Sequence, residues 1–490
     1  MKRLGFAVML TALLGLAPAG RAADPIPPAW PQFRGPDGLG VAPDGAKFPT
    51  TFGPTSKVLW KVALPPGCSS PCVWGSRIFL TGFDRAKKEL ATLCLDRGTG
   101  KTLWRRAVAP KGIERVHHEN SPAVGTPATD GERVYVYFGS YGLVCYDLDG
   151  NEAWARPLPV PATMWGSGTS PVVAGGLVLL KCQGRSSSLL ALHGRTGEVA
   201  WKKEPLPFEA GYSPPFVWRH GDAAEVVLHG QSGVRAYDLK DGTERWSVGG
   251  LLGAAIPAPV AAEGMLFVVS QFPGGDQDDR MKLPNFDDLL KKYDKDKDGK
   301  LSREEIPGDV VIYRRDPKNK EGDIRLLDLF GSLDMNHDGK LDRLEWFTAS
   351  TLAGQLLNNS LLALRPAGGR AAVAWREKRS LPEVSSPLVY RGRLYLVKHG
   401  GILSCLDART GKRVYRERLG ADGLYFASPV AGDGKIYAAG DGGVVTVFAA
   451  GDKLEVLARN DLGEAIKATP ALVDGKIYLR TEGHLYAFGE

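Results

Sequence analysis

The sequence predicts an all-β fold in which eight copies of a four-stranded unit close into a ring, with a small α-helical insert in the fifth copy. Three observations carry this prediction: two short markers recur in phase along the chain, and one repeat interval is about 84 residues too long. The chain has 490 residues, whereas a single hydrophobic core stops growing at about 250–300 residues. A repeat architecture escapes that limit, because each unit buries its face against the next.

The first marker is a β-hairpin pattern. Alternating apolar residues are followed by an Asp, by a Gly four residues later and by a Trp eight residues later, as in Asp96, Gly100 and Trp104. Asp and Gly favour the turn, and the alternation favours the strand before it. We expect the Trp to begin the next strand with its ring packed toward the neighbouring unit. Full or slightly altered copies are Asp238/Gly242/Trp246, His193/Gly197/Trp201, Asp147/Gly150/Trp154 and Asp407/Gly411/Tyr415.

The second marker is a Ser or Thr before a Pro, with Ala in one copy. Pro is tolerated at the first residue of a strand, so each pair marks a strand start. Together the two markers delimit units of about 40–50 residues, the size of a propeller blade. The sequence therefore predicts an eight-bladed β-propeller. The eight pairs are Ser70-Pro71, Thr126-Pro127, Ser170-Pro171, Ser213-Pro214, Ala258-Pro259, Ser386-Pro387, Ser428-Pro429 and Thr469-Pro470.

The two ends of the chain are predicted to complete one blade. The last unit stops after its third strand, Leu485 to Phe488, and the segment from Val58 to Val62 matches the missing Trp-led fourth strand. Pairing these segments closes the ring and removes exposed strand edges. We therefore expect Trp60 to lie beside the C-terminal strand.

The long interval lies between the second and third strands of the fifth unit and contains two EF-hand loops. An EF-hand loop has twelve residues and binds calcium through oxygen ligands at alternating positions. A Gly at the sixth position allows the sharp turn, and a Glu at the twelfth closes the site. The predicted ligands of the first loop are Asp294, Asp296, Asp298, Lys300 (through its carbonyl), Ser302 (through water) and Glu305. Those of the second loop are Asp334, Asn336, Asp338, Lys340, Asp342 and Glu345.

The residues around these loops fit a pair of EF-hands. Leu301 and Leu341 hold the eighth positions, where paired loops join through a short two-stranded contact. Amphipathic stretches at 286–293, 324–333 and 344–352 flank the loops. The sequence thus predicts calcium as a cofactor, in a structural or a regulatory role.

Propeller topology predicts a funnel face, the face of the ring where the insert and the connections between blades emerge together. Some residues predicted there have side chains suited to metal binding or acid–base chemistry. An alternative is that they anchor loops by hydrogen bonds. We predict that an unknown protein or small-molecule ligand binds at this face. The candidate residues are His117, His118, Glu119, Asn120, Trp165 and Tyr212.

The N-terminus has the pattern of a signal peptide. Lys2 and Arg3 precede an apolar run over residues 4–16, and the small residues Gly20 and Ala22 follow. The run is shorter than the roughly 20 residues of a membrane-spanning helix. We expect export to the periplasm or the extracellular space, with no transmembrane span after cleavage; a retained anchor is the alternative.

The net charge and the positions of the cysteines indicate which partners and which cross-links to expect. The formal net charge of +7 is spread over the chain, whereas nucleic-acid binders concentrate basic residues on one face, so we expect no nucleic-acid partner. Cys94, Cys145 and Cys405 share a repeat position that Ala takes elsewhere, which predicts small buried core sites. Cys68 and Cys72 could form a disulfide if the chain turns between them, and the sequence leaves this open.

The repeat resembles the PQQ-like repeat of quinoprotein dehydrogenases and of the propeller subunit of the outer-membrane protein assembly machine. The resemblance covers about residues 55–272 and 356–490, and the opening from Trp30 to Pro36 is shared with exported propeller proteins of this kind. Quinoprotein enzymes stack their quinone on a disulfide between adjacent cysteines, and this chain has no adjacent Cys pair. The sequence therefore favours a binding or scaffolding propeller over the alternative, a PQQ-dependent oxidoreductase.

These predictions divide the chain into five segments. Residues 1–23 form a signal peptide and 24–57 an N-terminal segment. Residues 58–272 and 356–490 form the propeller, and 273–355 form the inserted EF-hand pair.

Overall fold

Eight antiparallel sheets follow one another along the chain, each built from the four strands that the two markers predict. The computed structural model describes residues 27–490 except 162, 164, 184–186, 207–210, 282, 316–319, 321–322 and 357–358. The predicted signal peptide lies outside the described residues. The ring of eight blades is confirmed.

The strands of the first four blades run in the order first to fourth within each sheet. Blade 1 has Cys72–Trp74, Arg77–Asp84, Glu89–Asp96 and Thr102–Val108; blade 2 has Ala128–Thr129, Arg133–Phe138, Gly142–Asp147 and Glu152–Pro157; blade 3 has Val172–Ala174, Leu177–Cys182, Ser188–His193 and Val199–Lys203; blade 4 has Phe216–His220, Ala223–Gly230, Gly233–Asp238 and Glu244–Gly249.

The other four blades include the interrupted one and the one shared by the two ends of the chain. Blade 5 has Val260–Ala262, Met265–Ser270, Ser360–Ala367 and Arg370–Glu377; blade 6 has Leu388–Tyr390, Arg393–Lys398, Ile402–Asp407 and Arg413–Arg418; blade 7 has Val430–Gly432, Lys435–Ala439, Val444–Ala449 and Val456–Asp461; blade 8 has Ala471–Val473, Lys476–Arg480, His484–Phe488 and, from the N-terminal side, Val58–Ala63.

The hairpin marker packs neighbouring blades together. The Trp104 indole N–H of blade 1 donates to the Leu148 carbonyl of blade 2 at 2.9 Å. A Cβ at Gly150, which has a φ of 84°, would lie 2.7 Å from the Trp104 ring. Gly is therefore required both for the turn and for the close approach of the indole. The same contact recurs between Trp60 and Gly100, Trp154 and Gly197, Trp201 and Gly242, and Trp375 and Gly411.

The Ser/Thr of the second marker joins the blades around the centre. The backbone N–H of one blade donates to the hydroxyl oxygen of the next, as Ser70 does to Thr126 at 3.0 Å. Where blade 5 has Ala258 there is no hydroxyl, and Ser213 N–H donates instead to the Ala255 carbonyl. The same bond links Thr126 to Ser170, Ala258 to Ser386, Ser386 to Ser428, Ser428 to Thr469 and Thr469 to Ser70.

The N-terminal segment crosses the middle of the ring. Ala29–Trp30 adds a strand to blade 1, and Trp30 and Arg34 are fully buried. Because the first strand of each blade lines the axis, contacts with several first strands place this segment on the axis. These contacts join Trp30 to Val73, Pro31 to Thr129, Arg34 to Pro387 and Ala42 to Ala431.

The cysteines of the repeat are core residues. Cys94, Cys145 and Cys405 are fully buried, as predicted. All six cysteines are free thiols, so Cys68 and Cys72 are not bridged in this structure.

The insert leaves blade 5 after Met265–Ser270 and returns at Ser360–Ala367. The described part of the insert contains three helices, α1 (Phe286–Tyr293), α2 (Leu326–Leu333) and α3 (Arg343–Leu356). Their apolar residues form a core of their own around Phe286, Phe330 and Trp346. Short strand pairs complete it: Gly275–Asp276 with Asp279–Arg280, Leu301–Ser302 with Lys340–Leu341, and Val311–Tyr313 with Ile324–Arg325.

Candidate calcium loops and funnel face

The two candidate calcium loops lie side by side, each after a short helix. The Asn285 side chain caps α1 by accepting the Asp287 N–H at 2.8 Å, and the first loop begins where α1 ends. The second loop follows α2 in the same way. Leu301 pairs with Leu341 in antiparallel register, as their eighth positions predicted, and both side chains are buried.

The first loop draws carboxylates around one point. Oxygens of Asp294, Asp296 and Glu305 all lie within 4.8 Å of one another. Asp294 Oδ1 is buried and has no hydrogen-bond partner among the described residues, which is costly unless a cation is near. Gly299 N–H donates to Asp294 Oδ2 at 3.1 Å, and Ser302 Oγ donates to Glu305 Oε2 at 2.8 Å. A set of hard oxygen donors of this kind fits calcium.

The second loop repeats these contacts. Gly339 N–H donates to Asp334 Oδ2 at 3.1 Å, and Met335 N–H donates to Glu345 Oε1 at 2.9 Å. Glu345 Oε2 accepts the Asp342 N–H, so the closing carboxylate is held as in the first loop. Both closing residues, Glu305 and Glu345, are buried.

Each loop also sends a lysine to the other loop. Lys300 Nζ lies 2.9 Å from Asp338 Oδ2. Lys340 Nζ lies 3.3 Å from Asp296 Oδ2 and contacts Asp298 as well. These ammonium groups lower the pKa values of Asp338 and Asp298. The prediction for both lysines concerned only their backbone carbonyls, so this use of the side chains was missed.

The candidate residues of the funnel face come together from separate connections. The rings of His117 and Trp165 are 4.0 Å apart, as are those of His117 and His118. Asn120 Nδ2 donates to the carbonyls of Trp165 and Ser167. Burial and the neighbouring His118 lower the pKa of His117.

Tyr212, in the connection between blades 3 and 4, lies against the preceding connection, between blades 2 and 3. A Cβ at Gly168 would be 2.9 Å from Tyr212 Cβ, so the Tyr212 ring packs on the connection that carries Trp165. Met164, the neighbour of Trp165, lies outside the described residues.

An arginine of the insert reaches this face. Arg315 Nη1 donates to Glu119 Oε1 at 3.0 Å, and Arg315 Nε lies 3.0 Å from Glu383 Oε2. Glu119 belongs to the connection between blades 1 and 2, and Glu383 to that between blades 5 and 6. Arg315 thus joins the insert to opposite parts of the ring.

Glu383 is a buried carboxylate that lies close to basic side chains. His399 Nδ1 accepts the Tyr425 N–H at 2.8 Å, so the ring proton is on Nε2, which faces Glu383 at 3.4 Å. Burial raises the pKa of Glu383, but His399, Arg315 and Lys398 outweigh burial and lower that pKa to about 2. Glu383 is therefore ionised at neutral pH.

Arg315, Glu383 and His399 were missed in the sequence. Arg315 belongs to no motif, and His399 follows the second strand of blade 6. Glu383 lies in a connection of the same type as Glu119, so an inventory of acidic residues in these connections would have found it.

Two family models match the chain. The model described as outer membrane protein assembly factor BamB matches residues 50–211, 86–249 and 357–489. The model described as EF hand matches residues 286–306 and 327–346. No curated protein matches the chain in sequence.

Several solved structures share the fold at low identity. BamB from Moraxella catarrhalis is 11 % identical with a TM-score of 0.54, over 88 % of this chain and 97 % of that one. Quinohemoprotein alcohol dehydrogenase from Comamonas testosteroni is 11 % identical with a TM-score of 0.55, over 94 % and 81 %. The Dos1 propeller is 8 % identical with a TM-score of 0.51, over 88 % and 94 %. These likenesses establish the architecture alone.

Within the described residues, no helix is long and apolar enough to span a membrane. The BamB model matches more than half of the chain, on both sides of the insert, and the blades it matches are those that the two markers delimit. The chain therefore belongs to the family of outer membrane protein assembly factor BamB, a family of PQQ-like propellers, and carries EF-hand motifs within one blade.

Proposed function

We propose that this protein is an exported binding or scaffolding propeller that holds calcium in two EF-hand loops and binds a partner or small ligand at its funnel face. The observation that carries the calcium part is the group of oxygens from Asp294, Asp296 and Glu305. Within it, the buried Asp294 Oδ1 has no hydrogen-bond partner in the part of the chain that the structure describes. The funnel part is supported by exposed ring systems, Trp165 and His118, beside charged residues. Export is supported by the N-terminal pattern and the family.

The expected affinity is low. Extracellular EF-hand modules bind calcium at about 10⁻⁴–10⁻³ M. At about millimolar calcium such sites would each stabilise the folded protein by about 0.4–1.4 kcal/mol. Calcium would therefore order the insert while adding little to the stability of the ring.

Calorimetry with calcium chloride tests this proposal. The wild type should show two sites, and the pair of changes Glu305→Gln and Glu345→Gln should abolish both, because each removes a closing bidentate ligand. The matched control is Glu304→Gln, an exposed neighbour outside the ligand positions, which should keep both sites. Unchanged calcium uptake in the double variant would contradict the assignment.

The alternative, a PQQ-dependent oxidoreductase, is separated by one further measurement. Purified protein is incubated with PQQ and calcium, and the quinone absorbance is recorded after removal of free PQQ. Our proposal expects no retained quinone. Retention of PQQ at a 1:1 ratio would contradict our proposal and support the alternative, a PQQ-dependent oxidoreductase.

A further inference from the structure

We propose that the lysine at the seventh position of each EF-hand loop sets the calcium affinity of the opposite loop. The inference rests on the proposed calcium binding and deepens it. It concerns Lys300 of the first loop and Lys340 of the second.

The pairing of the loops places each lysine beside the other loop. Leu301 pairs with Leu341 and Ser302 pairs with Lys340 in this antiparallel contact. Lys340 therefore lies against the first loop, and Lys300, just before Leu301, lies against the second. Lys340 reaches two ligand carboxylates of the first loop, Asp296 and Asp298. Lys300 reaches one ligand carboxylate of the second loop, Asp338.

Calcium and the ammonium groups need the same oxygens. A calcium ion in the first loop would be coordinated by the carboxylates that Lys340 contacts. The double positive charge of the ion would also repel the nearby Lys340 ammonium group. Calcium binding therefore has to break the Lys340 contacts. The free energy of these ion pairs is subtracted from that of calcium binding, so the affinity of the first loop is lower. For partly exposed ion pairs this corresponds to about a two- to fivefold change in the dissociation constant.

Other lysines of the first loop lack this arrangement. Lys297 is exposed and, among the described residues, has no carboxylate within ion-pair distance. It contributes only to the general positive field, which salt screens over about 8 Å at physiological ionic strength. Lys297 is thus the matched control. It is a lysine of the first loop, whose calcium affinity is measured, whereas Lys340 acts on that loop from the second.

The test isolates one loop at a time in the full-length protein. With Glu345→Gln present, only the first loop should bind calcium, and its dissociation constant is measured by calorimetry at low salt. Lys340→Met, or Lys340→Gln as a second variant, should tighten this binding two- to fivefold. Lys297→Met should change it less than twofold. Reciprocally, with Glu305→Gln present, Lys300→Met should tighten the second loop.

A salt series supplies an independent readout. At about 1 M salt the screening length falls to about 3 Å, so the gain from Lys340→Met should shrink. Equal gains from Lys340→Met and Lys297→Met, or no gain from Lys340→Met, would overturn the inference while calcium binding stands. Absence of calcium uptake by the wild type would instead refute the proposed function.

Discussion

At the scale of single residues, two cations hold equivalent buried positions in different blades. Lys181 in blade 3 and Arg480 in blade 8 each lie near the end of the second strand and are fully buried. Arg480 donates to Ser69 Oγ and to the carbonyls of Thr81 and Pro65, at 2.7–2.9 Å. Among the described residues, Lys181 donates only to the His229 carbonyl, at 3.5 Å. Burial lowers the pKa of Lys181 from 10.5 to about 7.

This contrast predicts opposite effects of the same substitution. Lys181→Met should stabilise the protein at pH 7 by at least about 1 kcal/mol, because a buried amine without an acidic partner among the described residues is removed. Arg480→Met should destabilise it, because several buried acceptors lose their donor. Thermal unfolding of both variants checks this.

The pH dependence gives the prediction a sign. Because the folded pKa of Lys181 is lowered, its penalty develops as the pH falls from about 10.5 to about 7. The advantage of Lys181→Met should therefore be larger at pH 7 than at pH 10. An equal advantage at both values would mean that packing, not charge, is responsible.

At the scale of elements, the insert is tied to the ring by Arg315. Its side chain is only 11 % exposed and faces Glu383, which is 2 % exposed. The boundaries 273–355 for a separate insert remain a prediction. Arg315 lies within these boundaries, and its ion pair with Glu383 links the insert to the propeller.

Arg315→Ala should therefore destabilise the protein by about 3–5 kcal/mol, because it leaves a buried carboxylate with less compensation. The control is Arg343→Ala, another insert arginine whose pair with Asp287 is well exposed. That change should cost less than about 1 kcal/mol. Denaturant unfolding compares the two variants, and equal losses would exclude the role we assign to Arg315.

Acid should weaken the same contact. The pKa of Glu383 is about 2 in the folded protein and 4.5 ordinarily, so the unfolded chain takes up the proton first. A contribution on the order of 3 kcal/mol is then present above about pH 4.5 and is lost as the pH falls toward 2. The free energy of unfolding of Glu383→Gln should be lower than that of the wild type at pH 6, and the difference should shrink at pH 3.

At the scale of the whole molecule, the ring is closed by the two ends of the chain. Trp60 pairs with Ala487 and Val62 with Leu485, as predicted. The Trp60 indole N–H donates to the Arg97 carbonyl of blade 1 at 3.0 Å. The closing strand therefore holds blade 8 and also packs it on blade 1.

Deleting residues 484–490 should open the ring at this point. Leu485, Tyr486 and Phe488 are buried, and each such side chain is worth about 1.5–3 kcal/mol, against a typical total of about 5–15 kcal/mol. The truncated protein should aggregate or melt far lower. Removing Glu490 alone should matter little, since it loses only an exposed pair with Lys57. Equal melting temperatures for all forms would rule out this closure.

The amino-acid sequence by itself determined the blade, the blade count, the closing pair and the EF-hand loops. Each of these depends on residues close together in the chain or on a pattern repeated in phase, since strand alternation, turns and loop ligands are local properties. The Asp–Gly–Trp marker is the clearest case. The contact that Gly150 makes with Trp104 between blades 1 and 2 recurs, with the equivalent Gly and Trp, between other neighbouring blades.

Only the tertiary structure decided which distant residues meet. Arg315, Glu119 and Glu383 come from three connections, the Ser/Thr hydroxyls join successive blades, and the N-terminal segment fills the centre. The lysines that cross between the calcium loops belong to the same class. A local pattern can mark such residues, as it marks the Ser/Thr before Pro, but it does not show which of them meet. The contacts are produced by the closure of the ring and the pairing of the loops, which bring together residues far apart in sequence.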